Sequence, residues 1–352
     1  MKKKFAVLLL TDFLIALLLT GTFLLYFYIL PRKENDTGTS ITSEESAKQQ
    51  TFELPDSQDS QDVQESQESQ KSQKAPGQKR GGAVRGNGNT GTSDIASDKS
   101  QLTLSGTKDT VLEEYKDDSL QLTIKKSELG DGDDKITYYT ADIYVSSVDQ
   151  LKTAFADGTY GKNVREDTLQ MAEDNGALLA ISGDSYGNNE TGIVVRNGVL
   201  YRSETNDGEI CVIFQDGVMK IYTPEEFDQE QILADQVWQA WNFGPSLLDN
   251  GEVKTSFKTT SYLNSLNPRC AIGYSSPGHY KWVLVDGRDS GYSKGATMSE
   301  LAQIMADEGC SLAYNLDGGK SAAMVYQGSY VNQPADGGRS ISDIIYVKKE
   351  DS

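Results

Sequence analysis

The sequence predicts an α+β protein with a mixed β-sheet core and flanking helices, preceded by one transmembrane helix and a disordered linker. Three observations support this prediction. An apolar run occupies residues 5–30, a polar low-complexity stretch follows over residues 31–100, and strand-like and helix-like periodicities share residues 101–352. The last segment is long enough to bury a substantial core as one domain. Residues 1–4 form a short tail.

The apolar run predicts a membrane anchor. It exceeds the roughly 20 residues that a helix needs to cross a bilayer. It ends in the aromatic residues Tyr26, Phe27 and Tyr28 rather than in a small-residue cleavage site. Lysines at positions 2–4 favour a cytoplasmic N-terminus. The predicted location is therefore the cell membrane, crossed once, with the C-terminal domain outside the cell.

The linker prediction rests on composition. Residues 57–70 consist almost entirely of Ser, Gln, Asp and Glu, and glycine and basic residues follow from Lys79 to Arg85. Such a segment cannot bury enough apolar surface to offset the entropy lost on ordering. It is expected to act as a flexible tether between the membrane and the domain.

The charge of the chain limits its partners. It contains 33 Lys and Arg residues and 52 Asp and Glu residues, which gives a net charge of -19. This balance disfavours nucleic acid and anionic membrane surfaces as partners. An anionic substrate would need cations placed locally around its binding site.

Neither thiol nor histidine chemistry is indicated. Cys211, Cys270 and Cys310 are too few for a complete disulfide framework. Their apolar neighbours predict buried thiols, with a Cys270–Cys310 bridge as the alternative. The one histidine, His279, lies in a Pro-Gly-His-Tyr turn, and the chain lacks the Gly-x-Ser-x-Gly elbow of a serine hydrolase.

Periodicity and capping signals place the elements of the domain. Asn197 and Gly198 predict a tight hairpin. Gly176 ends one predicted helix, and Thr297 with Glu300 forms the capping box of the other. The predicted helices cover residues 168–175 and 297–308. The predicted strands cover residues 120–124, 135–145, 177–181, 192–196, 199–202, 281–285, 311–316 and 341–347.

Charged residues lie where several buried strands begin or end. Three strands end at Asp184, Asp286 and Asp317, and two others begin beside Arg269 and Arg339. If these ends converge, three carboxylates meet guanidinium groups in one cleft. Neighbouring carboxylates shift each other's pKa, and arginine binds phosphate oxygens through two-point contacts. The alternative is that these side chains form structural pairs at loop ends.

The densest of these loops covers residues 315–321, Asn-Leu-Asp-Gly-Gly-Lys-Ser. Gly318 and Gly319 permit a close approach of a ligand to the backbone, with amides facing an anion. A cation, Lys320, and a hydroxyl, Ser321, follow directly. The composition is typical of an active-site loop.

These loops also carry a family resemblance. Five motifs occur in order: AISGDSYG at 180–187, NFGPSLL at 242–248, NPRCAIG at 267–273, VDGR at 285–288 and NLDGGKS at 315–321. In sequence and in order they resemble the motifs of the phosphodiester glycosidase domain family, which includes bacterial exopolysaccharide biosynthesis proteins. The resemblance covers residues 108–348. Ser182 and Ser185 depart from a first motif that more commonly reads Asn-Gly-Asp or Asn-Gly-Gly, and Lys320 replaces a third glycine.

The resemblance implies a hydrolase of the N-acetylglucosamine-1-phosphodiester glycosidase type, and the N-terminal apolar run predicts that it is membrane-anchored and extracellular. Such an enzyme cleaves the bond between an anomeric carbon and a phosphodiester oxygen, here in a cell-surface polysaccharide or exopolysaccharide. Asp317 and Asp184 would act at the reacting centre, with Asp286 as the third carboxylate, while Arg269 and Arg339 hold the phosphate. The other implied substrate contacts are Arg288, Lys320, Gly318, Gly319, Ser321, Asn315 and Asn242.

Two alternatives stay open. The first is a bound divalent ion, because the three aspartates offer only oxygen ligands, which suit calcium or magnesium. The other is a non-catalytic glycan- or cell-wall-binding module on the same fold. In either case Trp241 is a candidate for stacking on a sugar ring, and Trp282 is expected in the core.

Overall fold

The computed structural model describes residues 2–33, 38–41, 51–55, 107–259 and 261–349. In these residues the α-helices are α1 (Lys2–Leu24), α2 (Thr168–Asp174), α3 (Gln229–Ala234), α4 (Ser261–Asn264) and α5 (Met298–Asp307). The strands are β1 (Arg32–Lys33), β2 (Thr39–Ser40), β3 (Lys108–Lys116), β4 (Leu120–Leu129), β5 (Ile136–Val145), β6 (Leu151–Phe155), β7 (Gly161–Lys162), β8 (Leu179–Ser182), β9 (Val194–Arg196), β10 (Val199–Arg202), β11 (Ile210–Phe214), β12 (Met219–Tyr222), β13 (Val237–Trp241), β14 (Leu248–Asp249), β15 (Glu252–Val253), β16 (Arg269–Ser276), β17 (His279–Val285), β18 (Leu312–Leu316), β19 (Met324–Tyr326), β20 (Ser329–Tyr330) and β21 (Asp343–Val347).

Three large sheets make up the domain. Their strand orders are β18-β16-β17-β5-β4-β3, β20-β19-β8-β21-β6 and β12-β11-β13-β9-β10-β2. Two short pairs, β1 with β7 and β14 with β15, complete the pairing. With helices packed beside these sheets, the predicted α+β class is confirmed.

Local signals explain where elements turn and end. Asn197 and Gly198 have φ values of 52° and 75°, the left-handed pair that a tight hairpin between β9 and β10 requires. Thr297 Oγ1 accepts the Glu300 N–H, and Glu300 Oε2 accepts the Thr297 N–H. This reciprocal capping box starts α5 one residue after Thr297, which confirms the helix predicted there.

Side chains from all three sheets pack into a single main core. Trp238, Trp241 and Trp282 are 0%, 0% and 1% exposed and belong to this cluster. The core position of Trp282 is therefore confirmed. The prediction that Trp241 offers a surface to a sugar ring is wrong, because β13 places the indole inside the core.

The three cysteines are free and buried, so the alternative of a Cys270–Cys310 bridge is wrong. Cys270 Sγ lies 3.5 Å from Ser182 O, whereas Cys310 packs against Gly273. Burial raises the pKa of Cys270 and of Cys310 to about 12. These thiols therefore fill the core and are poor nucleophiles at neutral pH.

The N-terminal apolar run is helical. Helix α1 continues as a π-helical segment over Leu25–Ile29 and ends before Pro31. Thr11–Ile29 is, among the described helices, the one long and apolar enough to cross a membrane, and none of it is buried in the protein. The segment predicted as an anchor is thus an exposed apolar helix, which is consistent with a single-pass anchor or a signal peptide.

Part of the predicted linker packs against the domain. Strand β1 pairs with β7, and β2 pairs with β10. Phe52 packs against Gly217 and Gly278, and its N–H donates to Ser146 O at 2.7 Å. The prediction of an unstructured linker from residue 31 is therefore wrong for these segments, because backbone pairing and one aromatic side chain fix them. Residues 34–37, 42–50 and 56–100 lie outside the described residues.

Candidate active site

Strands β8 and β18 belong to different sheets but end side by side. The Asp317 N–H donates to Gly183 O at 3.1 Å, and Ser182 Oγ donates to Asp317 O at 3.3 Å. These bonds hold together the loops that follow both strands. Asp184 and Asp317, 133 positions apart in sequence, therefore lie on adjacent strand ends.

Asp317 is the centre of a short hydrogen-bonded chain. Ser321 Oγ donates to Asp317 Oδ2 at 2.7 Å, and Arg339 Nη2 lies 3.0 Å from the same oxygen. Arg339 Nε in turn donates to Ser321 Oγ at 2.6 Å. Burial raises the pKa of Asp317, and the Arg339 guanidinium opposes this rise. The carboxylate is thus largely buried and held in one orientation, while Arg339 remains half-exposed.

A cleft of about 330 Å³ opens beside this carboxylate. Its volume lies at the small end of the range for ligand pockets. Among the lining residues of the described chain, Asp317 is the one acid, and it faces four cations and an apolar wall. The cations are Arg269, Arg288, Lys320 and Arg339, the apolar wall is Phe243, Leu263 and Leu316, and the remaining lining residues are Asn267, Asn315, Gly318 and Gly319.

The two loop glycines allow close packing against Pro268. A Cβ on Gly318 would lie 2.6 Å from Pro268 O, which no side chain could tolerate. Gly319 has a φ of 61° and donates its N–H to the same carbonyl at 2.9 Å. The Gly319 amide therefore secures the loop, and Gly319 lines the cleft, where its contact with substrate stays a prediction.

The cations around the cleft differ in how they are held. Arg269 donates from Nε to Ala296 O and from Nη2 to the carbonyls of Leu263, in α4, and Ser265, just after it. Arg288 Nη2 donates to Asn267 Oδ1 at 2.8 Å. Lys320 pairs with Asp336 at 2.8 Å, on the exposed rim. Arg269 and Arg288 therefore shape the cleft wall, and Arg339 is the cation in contact with Asp317.

Behind Asp317 lies a buried ion cluster that the motif analysis did not predict. Arg196 Nη2 is 2.9 Å from both Asp184 Oδ1 and Asp343 Oδ2, and all three side chains are at most 3% exposed. The Asp184 N–H donates to Asp343 Oδ1 at 3.2 Å. A Cβ on Gly183 would lie 2.3 Å from that oxygen, so this close contact requires glycine. Asp184 is thus paired with Arg196 and does not line the cleft, and its role as a reacting carboxylate stays a prediction.

The Arg196 cluster makes folding stability depend on pH. Burial, the largest cause, raises the pKa of Asp343 to about 7, despite the opposing Arg196. Because the folded-state pKa lies above the unfolded value of 3.8, the folded protein binds the proton more tightly. Stability from this group is therefore complete below about pH 4 and is lost as pH rises through 7.

Asp343→Asn is expected to reduce the loss of thermal stability between pH 5 and pH 7.5, since the amide cannot ionise. Melting of the full chain in detergent, followed by tryptophan fluorescence, measures the slope because all three tryptophans are buried. Asp118→Asn, on an exposed turn, is the matched control and should keep the wild-type slope. An unchanged slope in Asp343→Asn would contradict the prediction.

Comparison with known proteins identifies the domain. Residues 175–348 match the family model described as phosphodiester glycosidase. This range contains Asp317, Arg339 and the Arg196 cluster. Residues 175–348 belong to the phosphodiester glycosidase family. The resemblance carried by the five motifs is confirmed over that range.

Curated relatives agree with this assignment. The SPbeta prophage-derived uncharacterized protein YomE of Bacillus subtilis is 33% identical over 200 residues, covering 54% of this chain and 31% of the relative. The human N-acetylglucosamine-1-phosphodiester alpha-N-acetylglucosaminidase is 25% identical over 189 residues, covering 51% of this chain and 36% of the relative. The chain spans about a third of the length of either relative.

Two solved structures share the fold. The catalytic domain of the zebrafish N-acetylglucosamine-1-phosphodiester alpha-N-acetylglucosaminidase, auto-inhibited by its pro-peptide, has a TM-score of 0.56 at 21% identity and covers 69% of this chain and 88% of that chain. A hypothetical protein from Synechocystis has a TM-score of 0.51 at 14% identity, covering 65% and 62%.

In this phosphodiester glycosidase domain, Asp286 is a structural carboxylate. It accepts hydrogen bonds from Asn332 Nδ2, the Gln333 N–H and the Tyr292 hydroxyl at 2.8–3.0 Å. It is 2% exposed and does not line the cleft. These three donors use both of its oxygens to fix the 332–333 loop, and a catalytic role for Asp286 stays a prediction that this geometry does not support.

The two asparagines predicted as substrate contacts have different surroundings. Asn242 bonds backbone groups of Ile193, Asn206 and Gly208 and does not line the cleft, so its predicted role is wrong. Asn315 lines the cleft and donates from Nδ2 to Gly244 O at 2.8 Å. Its Oδ1 is buried and accepts no hydrogen bond from the described residues. A buried acceptor without a partner is costly, and a substrate donor would satisfy it.

The phosphodiester glycosidase domain offers no clustered metal ligands in its described residues, where groups of three or more His, Cys, Asp or Glu side chains are absent. The calcium or magnesium alternative required the predicted aspartates to share one centre, but Asp184 binds Arg196 and Asp286 binds Asn332. His279 bonds Asp142 at 2.7 Å on β17, outside the cleft.

Proposed function

We propose that this protein is a membrane-anchored extracellular hydrolase that cleaves sugar-1-phosphodiesters of a cell-surface glycan or exopolysaccharide. One observation carries the proposal: a buried carboxylate with a raised pKa, Asp317, lies against Arg339 in a cleft whose other charged lining residues are cations. Membership of residues 175–348 in the phosphodiester glycosidase family supports the reaction class. The exposed apolar segment Thr11–Ile29 supports the anchor.

The balance of charge in the cleft suits a phosphate leaving group. A departing phosphomonoester has a second pKa of about 6, so it leaves without the strong general acid that ordinary glycoside hydrolysis needs. Four cations and one carboxylate line the cleft, although the whole chain carries a net charge of -19. This local excess of positive charge would draw in the phosphodiester and stabilise charge on its leaving oxygen.

Asp317 is the group that we assign to the reacting centre. Water attacks the anomeric carbon and transfers a proton to Asp317 as the bond to the phosphate oxygen breaks. The electron pair stays on that oxygen, next to Arg339. Ser321 and Arg339 hold the carboxylate in direction during this step. Asp317 is the one acid among the described residues that line the cleft, and we assign it the role of base for a direct attack by water.

Hydrolysis in ¹⁸O-labelled water tests the proposal. The probe is the methyl ester of N-acetylglucosamine α-1-phosphate, chosen because the human relative is named for that bond. Incubation with the full chain in detergent should release sugar that carries the label and unlabelled methyl phosphate. Label in the phosphate would indicate P–O cleavage and would overturn the proposal. Tight binding without turnover would instead identify a glycan-binding module.

Asn315→Ala is expected to lower kcat/KM by about 10- to 100-fold, because a site built around a hydrogen bond loses roughly 1–3 kcal/mol when a partner is missing. Steady-state kinetics of the methyl ester measure the loss. Asn250→Ala, on an exposed turn between β14 and β15, is the control and should match wild type. Wild-type kinetics in Asn315→Ala would show that Oδ1 does not receive the substrate.

A further inference from the structure

The apolar helix is joined to the domain at a defined place. Asn163 Nδ2 lies 3.5 Å from Phe27 O and 3.4 Å from Leu30 O. Strand β1 starts two residues after Leu30 and pairs with β7. A Cβ on Gly161 would lie 2.3 Å from Arg32 O, so the pairing depends on glycine at this position. The helix therefore leaves the domain at β7, without a free tether between them.

The β7 loop packs against the active-site loops. The Asn163 N–H donates to Gly187 O at 3.1 Å. A Cβ on Gly187 would lie 2.9 Å from Ser342 Oγ and 3.1 Å from Gly161 O, so this residue fills the narrow space between β7 and the 340–342 loop. Arg165 is two residues from Asn163, at most about 7 Å along an extended chain. It donates to Asn188 Oδ1, next to Gly187.

A small hollow lies at this junction. Its volume is about 30 Å³, and Arg165, Ser185, Asn188, Ser340, Ile341 and Ser342 line it together with Asp317 and Arg339. The last two residues also line the main cleft. Asp317 and Arg339 therefore line both the cleft and the hollow, and the hollow also contains Arg165, two residues from Asn163.

We propose that the substrate reaches Asp317 from the bilayer surface, so that its aglycone is a lipid held in the same membrane and the sugar-1-phosphodiester is its headgroup. The inference rests on the proposed function and on the anchor. Headgroup layers are roughly 5–8 Å thick on each side of the hydrocarbon core. Asn163 contacts the end of the apolar helix, and Arg165, two residues further on, lines the hollow, so a lipid phosphate in the headgroup layer would be within reach of Arg165.

The charges around the junction fit such a substrate. Arg32, Lys33, Lys162 and Arg165 surround the β1–β7 pair, with Asp157 and Glu190 as ion-pair partners of the first three. Cations at this depth attract anionic headgroups. A substrate confined to the same membrane also has a higher effective concentration at the cleft than a soluble one. Because the junction is fixed, the cleft would stay close to the membrane surface, where this substrate is concentrated. A long flexible tether would let the cleft move away from that surface.

A same-vesicle experiment tests the inference. Full-length protein is reconstituted in phosphatidylcholine vesicles, and the probe is the dihexadecylglycerol ester of N-acetylglucosamine α-1-phosphate. The ester is placed either in the enzyme's vesicles or in separate ones. The soluble methyl ester of the same sugar phosphate serves as reference. Turnover in the same vesicles should exceed turnover in separate vesicles by at least tenfold.

Two variants test whether the fixed junction is needed for turnover of the lipid ester, or whether attachment of the protein to the membrane is sufficient. Asn163 has a φ of 57°, so Asn163→Gly keeps the backbone and removes the contacts to the helix end. Gly161→Ala displaces β1 through its clash with Arg32 O. Either change should lower same-vesicle turnover of the lipid ester at least fivefold and leave methyl ester turnover at the wild-type rate. Asn250→Gly, also at positive φ but on an exposed turn, should change neither rate.

Three outcomes would overturn the inference. The variants could retain wild-type same-vesicle turnover, or wild type could cleave the lipid ester equally well in separate vesicles. Wild type could also cleave the methyl ester and leave the lipid ester intact. Each of these would leave the proposed function standing. Cleavage of neither ester would overturn the proposed function and this inference with it.

Discussion

Asp317→Asn is expected to lower kcat for sugar-1-phosphodiester hydrolysis by about 10²- to 10⁴-fold, the usual contribution of a positioned general base. The amide preserves the shape of the side chain and can still accept from Ser321, but it cannot take a proton from water. KM should stay within about threefold of wild type, because the phosphate contacts remain. Steady-state kinetics of the methyl ester of N-acetylglucosamine α-1-phosphate give both constants.

Two further variants serve as controls for the loss of kcat in Asp317→Asn. Ser321→Ala removes the hydroxyl between Arg339 and Asp317 but leaves the carboxylate, so about a tenfold loss is expected. Asp249→Asn, at the exposed end of β14, should be indistinguishable from wild type. If Asp317→Asn retained more than a tenth of wild-type kcat, Asp317 would not be the proton acceptor.

The pH dependence of activity follows from the same carboxylate. Its proton must be absent for it to act as a base, and burial raises the pKa of Asp317 above its usual value. The acid limb of kcat/KM should therefore lie above the pH at which an exposed aspartate ionises. Removing Arg339 should move this limb further up, because the guanidinium favours the ionised form.

The position of Asp317 could be predicted because the signals for it are local. A buried strand, two glycines and a hydroxyl follow one another within residues 312–321, and each constrains the backbone without reference to distant segments. The capping box at Thr297 and the Asn197-Gly198 turn could be predicted for the same reason. In each case neighbouring residues determine the conformation.

The partners of the other aspartates depend on contacts between distant segments. Asp184 was expected in the cleft, but a side chain from the β9 hairpin, Arg196, binds it from behind. Asp286 has the same loop signature as Asp317, yet Asn332 and Gln333 fold over it. A run of apolar residues ending in Asp therefore indicates a strand end near the site. It does not show which way the carboxylate faces.

The Arg196 cluster links the fold to the reacting carboxylate. Asp184 lies one residue from Gly183, whose carbonyl accepts the Asp317 N–H. The charge of Asp184 also raises the pKa of Asp317. Arg196 compensates most of that charge, since its Nη2 lies 2.9 Å from Asp184 and from Asp343. Arg196 is therefore a positioning residue that acts on Asp317 through Asp184.

Arg196→Met is expected to destabilise the domain by about 3–5 kcal/mol, the usual cost of removing one partner from a buried ion pair. Methionine fills part of the space but leaves Asp184 and Asp343 without their cation. Arg196→Lys should be nearly as damaging, because one ammonium cannot replace a guanidinium that bonds both carboxylates and the carbonyl of Ala240. Urea unfolding of the full chain in detergent, followed by tryptophan fluorescence, measures the loss.

Replacing the two aspartates by neutral residues should restore the stability lost in Arg196→Met. The restored part measures the lost charge compensation, and the part that is not restored measures the lost packing. In the Arg196→Met background, at a pH above the raised pKa of Asp343, Asp343→Asn removes one uncompensated charge, and Asp184→Asn removes the other. Stability should rise with each step, since an ion cluster replaced by neutral groups of similar size is often no less stable. In the protein that remains folded, Arg196→Met should move the acid limb of kcat/KM to higher pH, because the uncompensated Asp184 charge acts on Asp317. Stability that does not recover in the triple variant, together with an unmoved acid limb, would show that Arg196 contributes only by filling space.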